Sequence, residues 1–184
     1  MRKVLAIAAL TASLLFPATV NAGAPAVEVA FSPNGGATEL VVKTIESARI
    51  SIRFAAYGFT SKPVATALLA AHRRGVDVRG VVDKSNATAR YTVATFLANQ
   101  GVPVRVDYRY TILHDKFIVA DGATVETGSF NFTASAESKN AENVLVMHDS
   151  PVAARYMHEW DRLFHGRSEA LPAAGGDSLA VEDG

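Results

Sequence analysis

Asp121-Gly122 is the dipeptide that most constrains this chain. It stands between two β-forming stretches, Phe117-Ile118-Val119 before it and Thr124 to Phe130 after it. Asp-Gly between such runs favours a tight hairpin turn, so an antiparallel pair is expected here. With a two-residue turn Ala120 pairs with Ala123, which sets Ser129 opposite His114 and Thr127 opposite Lys116. Asn131 then lies one pleat beyond Ser129. Strand side chains alternate faces, so His114, Lys116, Ser129 and Asn131 would converge on one face. A three-residue loop would shift the register and scatter them.

The chain before the hairpin alternates strands and helices. Val27 to Phe31 reads as a short strand, broken by Asn34-Gly35-Gly36. Val41, Ile45 and Ala48 have helical spacing, and Ile50 to Ala56 is a second strand ended by Tyr57-Gly58-Phe59-Thr60. Ser61 with Pro63 opens a helix carrying Val64, Leu68 and Ala71 and closing at Gly75. Val76 to Val82 and Val102 to Val106 are further strands, separated by a helix through Phe96 that Gly101 stops. After the hairpin come a strand, Asn143 to Met147, and a helix from Ser150-Pro151 with Val152, Tyr156, Trp160 and Leu163 on one stripe. Strand–helix alternation combined with a hairpin predicts an α/β domain whose mixed sheet is sandwiched between helices.

Residues 1–22 read as a signal peptide. Arg2 and Lys3 precede an apolar run, and Val20-Asn21-Ala22 offers small residues for cleavage after Ala22. Pro17 and the early polar residues leave that run short for a membrane span. A mature domain over 23–165 is expected, periplasmic or secreted, with a frayed acidic tail over 166–184. The chain is 49% hydrophobic and 20% charged, which places it among globular proteins. It has no cysteine, which excludes disulfides, thiolate metal sites and a thiol nucleophile. Without Arg2 and Lys3 the balance is 16 basic against 18 acidic residues, a net of −2. Any affinity for nucleic acid must therefore come from local clustering, not from a general basic surplus.

His114 is a candidate nucleophile, and Lys116 a fixed cation beside it. Ser129 and Asn131 add neutral groups able to donate to phosphate oxygens. Each has a plainer reading alone: a strand-end histidine, a surface lysine, turn residues. Together they suit a phosphate ester. Asp121 sits where a turn wants Asp-Gly, several residues from His114, and reads as structural or supporting. Tyr108-Arg109-Tyr110 could stack bases and neutralise phosphates, or equally be strand and loop packing. Ser138, Lys139 and Asn140 form a polar loop placed to line a substrate groove. His72, His148, His158 and His165 share no ligand-like spacing with acids, and no metal site is expected.

Written out, Leu113 to Asn131 contains H-x-K-x4-D-x6-G-S-x-N, made by His114, Lys116, Asp121, Gly128, Ser129 and Asn131. This resembles the HKD signature of the phospholipase D superfamily, complete at every position. The similarity runs from about Val27 to Phe164 and is closest to the small single-motif bacterial endonucleases. It implies a phosphodiester hydrolase, working without cofactor or metal through a phosphohistidine on His114. It further implies that Glu142 hydrogen-bonds the catalytic histidine, fixing its tautomer. Superfamily enzymes use two motifs, and this chain has no second H-x-K. A homodimer sharing one site is therefore expected, since one imidazole cannot attack and donate a proton at once. The implied substrate is nucleic acid, DNA and possibly RNA. The alternative is a phospholipase D or cardiolipin hydrolase acting on lipid phosphodiesters, and a third reading is a binding protein that retains the fold.

Overall fold

The computed structural model describes residues 26–88 and 92–171. The segment read as a signal lies outside them, as does most of the expected tail. Among the described residues fourteen elements follow one another: β1 (Val27–Ser32), α1 (Ala37–Ser47), β2 (Ser51–Ala56), α2 (Lys62–Arg73), β3 (Asp77–Asp83), α3 (Ser85–Thr88), α4 (Val93–Asn99), β4 (Val104–Asp107), β5 (Lys116–Ala120), β6 (Thr124–Gly128), α5 (Ala134–Ser138), β7 (Glu142–His148), α6 (Ser150–Phe164) and β8 (Ser168–Ala170).

The strands form one sheet in the order β1-β7-β6-β5-β2-β3-β4-β8. β2, β3 and β4 run parallel, as their helical crossovers require, and every other pair is antiparallel. This is the expected mixed sheet between helices. Ser61 and Asp149 cap α2 and α6 by accepting from the amides of Val64 and Val152, which fixes where both helices begin.

Two apolar clusters cover the two faces. One gathers Val41, Ile45, Phe54, Leu68, Leu97, Ile118 and Val144 beneath α1, α2 and α4. The other packs Phe117, Val119 and Val125 against Trp160 and Leu163 of α6. Trp160 ties its helix to the sheet by donating Nε1–H to the Phe54 carbonyl at 3.0 Å. Gly80 has no room for a side chain, because an added Cβ would lie 1.9 Å from Cζ of Phe54.

Two expectations are corrected. The hairpin loop spans Asp121 to Ala123, three residues, so Ala120 faces Thr124 and Phe117 faces Thr127. Asp121 and Gly122 both have positive φ, as a tight hairpin turn demands, and Ala123 is the extra residue before pairing resumes. The cause lies outside the hairpin. The Asp121 carboxylate accepts from the backbone amides of Arg49, Ile50 and Ser51 at 2.9, 2.7 and 2.9 Å, which clamps the turn to the start of β2. The chain also stays ordered beyond Gly166: Ser168–Ala170 add an edge strand, β8, to β4.

Candidate active site

One end of the sheet collects the chemistry. β2, β3, β4 and β6 finish there and β5 and β7 begin there, as the pairings Ala56 with Lys116, Asp83 with Asp107 and Gly128 with Val144 show. Carboxyl ends of parallel strands are where α/β sheets most often hold ligands.

His114 is exposed just ahead of β5. Its ring lies 4.8 Å from that of Tyr57, tilted by 56°. Lys116, the first residue of β5, is only 7% exposed. Its ammonium donates to the His114 carbonyl at 2.7 Å and sits 5.5 Å from the Tyr57 ring centroid. Burial lowers the Lys116 pKa, against the opposing pull of Glu142 and Asp115. The result is a cation held in place beside the histidine and largely shielded from solvent.

Ser129 and Asn131 arrive by a different route from the expected one. β6 ends at Gly128, and after one more backbone bond to β7, from the Phe130 amide to the Asn143 carbonyl at 3.3 Å, the chain leaves the ladder. The following segment lies along the one after β2: Thr60 and Ser61 amides both donate to the Phe132 carbonyl at 2.8 Å, over buried Phe59, Phe130 and Phe132. This brings the Asn131 Oδ1 to the Gly58 amide, at 3.4 Å. Ser129 Oγ accepts from the Asn143 amide at 3.0 Å. Gly128 permits the crossing, since a Cβ there would stand 2.1 Å from the Asn143 carbonyl oxygen.

Glu142 opens β7 at the same end and acts electrostatically on Lys116. The bond to histidine that the resemblance implies is not formed. Glu142 Oε1 accepts from Asn140 Nδ2 at 3.0 Å instead, while His114 packs on Tyr57. Asp121 is not brought to the site. It occupies the opposite end of the hairpin, where burial raises its pKa and three backbone amides more than offset that, holding the carboxyl below its ordinary range. Its place in the signature is architectural.

Sequence reasoning passed over Tyr57. It touches both His114 and Lys116, yet it read only as the end of a strand. Its signal was its place immediately after β2, the strand that pairs with the one carrying Lys116. Among the described residues no cluster of acids and histidines could hold a metal ion.

The profile of the family described as "Cardiolipin synthase, PLD-like domain" matches residues 41–164. A phospholipase D of Rickettsia prowazekii is 40% identical over 134 residues, 73% of this chain and 65% of that protein. A mitochondrial cardiolipin hydrolase of Xenopus laevis is 36% identical over 127 residues, 69% of this chain and 60% of its own. The chain thus spans about two thirds of the length of the curated relatives it matches. Among solved structures, Nuc from Salmonella typhimurium, a phospholipase D family member, superposes with a TM-score of 0.76 at 42% identity. That match covers 80% of this chain and 98% of Nuc. With the family profile matching most of the chain, the signature intact and the fold shared, the chain belongs to the phospholipase D superfamily.

Proposed function

We propose that this chain is a metal-independent phosphodiester hydrolase that cuts nucleic acid, DNA foremost, through a phosphohistidine on His114. The observation that carries this is the buried Lys116 ammonium fixed beside an exposed, ring-packed His114. An imidazole nitrogen of His114 attacks phosphorus, and the bond from phosphorus to the leaving ester oxygen breaks. Lys116 offsets the charge gathering on the non-bridging oxygens, and the Asn131 amide and Ser129 hydroxyl donate to them. In the second step water attacks phosphorus and the phosphorus–nitrogen bond breaks.

Each step needs a second proton carrier. His114 of the partner subunit protonates the leaving oxygen, then takes the proton from water. The face that joins the copies is an apolar stripe on the edge strand. Val27 and Val29 are each 54% exposed and Phe31 60%, all three on the α6 side of β1. Phe31 pairs with Asn143, next to Glu142, so this face runs up to the site. A second copy docked on it brings two His114 residues toward one phosphate.

Nuc, matched over nearly its whole length, supports the nuclease reading. Relatives named phospholipase D and mitochondrial cardiolipin hydrolase favour a lipid diester as the second reading. No helix among the described residues is long and apolar enough to cross a membrane. The test is plasmid nicking in excess EDTA beside a His114→Ala control. Nicking by the wild type alone supports the nuclease. No nicking, with hydrolysis of cardiolipin vesicles that His114→Ala lacks, establishes the lipid enzyme. Export completes the proposal, with cleavage after Ala22 read by N-terminal sequencing of the exported protein.

A further inference from the structure

The loop between β4 and His114 carries a second, separate concentration of charge. Its ends are anchored on two buried carboxylates. Asp107 Oδ1 accepts from the amides of Arg109 and Tyr110 at 2.7 and 3.2 Å, and Asp83 Oδ2 accepts from the Leu113 amide at 2.8 Å. Lys84 adds a bond from its ammonium to the Tyr110 carbonyl at 3.2 Å. The loop is therefore a built platform.

Two guanidinium groups converge on Tyr110. Arg109 lies 4.5 Å and Arg162 5.5 Å from its ring centroid, and both donate to its hydroxyl. Arg162 is paired with Glu159, whereas Arg109 has no carboxylate partner among the described residues. Gly166 leaves space for Arg109, whose Nη1 would stand 3.3 Å from a Cβ at that position. Like charges held this close repel one another, and the one glutamate that pairs with Arg162 is also the carboxylate that Arg109 acts on electrostatically. Arg109 itself has no ion-paired use among the described residues.

Its position supplies one. Asp115 follows His114 directly, and its carboxyl is pushed above the ordinary range by desolvation first and Glu159 second. Lys116, Arg162 and His114 pull the other way. The residue as a whole is exposed, so this desolvation belongs to a crowded carboxyl at the surface and not to a core. One carboxyl thus feels both Arg162 and His114. In sheet order the cluster lies on the β4 side of His114, away from the stripe on β1. Tyr108, 48% exposed, presents a ring beside it.

We infer that Arg109 and Arg162, aligned by Tyr110, form a subsite for a phosphate of the substrate strand flanking the one that His114 attacks. It rests on the nuclease reading and specifies it: the preferred substrate is a polymeric diester, held at more than one phosphate. A planar guanidinium pair suits two-point recognition of phosphate oxygens. A diester with one phosphate cannot use it.

The test compares a short single-stranded oligonucleotide with bis(p-nitrophenyl) phosphate for wild type, Arg109→Gln, Arg162→Gln and Tyr110→Phe. Thermal melts of each variant establish that it is folded. The expected result is a fall of about tenfold in the ratio of kcat/KM on the oligonucleotide to that on the small diester for each arginine variant, carried by KM. The salt dependence of oligonucleotide binding should lose about 0.7 from its logarithmic slope per guanidinium removed. Tyr110→Phe should fall between the arginine variants and wild type. Folded variants with an unchanged ratio and slope would overturn the subsite and leave the nuclease standing. A wild type that hydrolyses only the small diester, or lipid, would overturn both.

Discussion

At the residue scale, two buried or clamped carboxylates outside the site make opposite predictions. Glu126 lies on β6 between Ile118 and Val146, 1% exposed, and its Oε2 has no hydrogen-bond partner among the described residues. Burial pushes its pKa from 4.5 up to about 8, so the folded protein keeps a proton that the unfolded chain releases. Stability from this group is full below 4.5 and is lost as pH rises through about 8. The melting temperature of the wild type should fall more than that of Glu126→Gln between about pH 5 and about pH 9. Parallel curves would mean that the carboxyl finds compensation on ionising. Asp121 has the reverse sign. Its pKa is depressed, so its contribution is present above its ordinary pKa of 3.8 and is lost as pH falls below that. Asp121→Ala should cost about 1–2 kcal/mol at neutral pH in urea unfolding, a figure discounted for partial solvation. Turnover by the folded variant should persist, because the carboxylate is remote from His114. Loss of turnover without loss of stability would return Asp121 to the chemistry.

At the element scale, the hairpin explains how much of the site was legible. His114 and Lys116 were readable because they stand two residues apart where an extended segment leads into β5, a local spacing. Ser129 and Asn131 were readable as members of a spacing pattern, but not by the register that seemed to unite them. The true register is displaced by one residue because Asp121 answers to amides about seventy positions earlier, a tertiary contact that no local pattern contains. The two residues still reach this end of the sheet because regular pairing of β6 stops at Gly128, where strict face alternation no longer applies. Tyr57 escaped notice for the same reason, since its partners lie on a strand that becomes its neighbour only in the folded sheet. Gly128 is then the hinge of the arrangement. Gly128→Ala must push β6 and β7 apart at Asn143, the residue that holds Ser129. Overpacking of this kind costs about 1–3 kcal/mol, and an ångström of displacement at a reacting centre costs about 100-fold in rate. Melting and nicking assays on one preparation should show both losses. A variant with wild-type nicking would mean that the phosphate contacts do not depend on this crossing.

At the scale of the whole molecule, the proposed reaction needs two histidines while the chain carries one motif, so the proposal completes the site where two copies meet. The edge strand β1 makes this physically reasonable. An exposed apolar stripe is a liability on a monomer, and here it ends beside Glu142. Charging it should separate the copies. Val29→Asp with Phe31→Asp should shift sedimentation from dimer to monomer and abolish nicking, though neither side chain touches the proposed phosphate site. A fully active monomer would sink the shared site. Mixing gives a sharper answer, because it leaves the interface intact. When wild type and His114→Ala are co-refolded in equal amounts, random pairing makes about one quarter of the dimers wild type on both sides. If both histidines are needed, activity falls to about that quarter of what the same total of wild type would show. If each copy works alone, about one half survives. Excess His114→Ala separates the two curves further, since a shared site responds to the square of the wild-type fraction and an independent site to the fraction itself. A linear response would place the second proton carrier within one copy, and Asp115 and Tyr57, the titratable groups that act on or touch His114, would be the ones to substitute next.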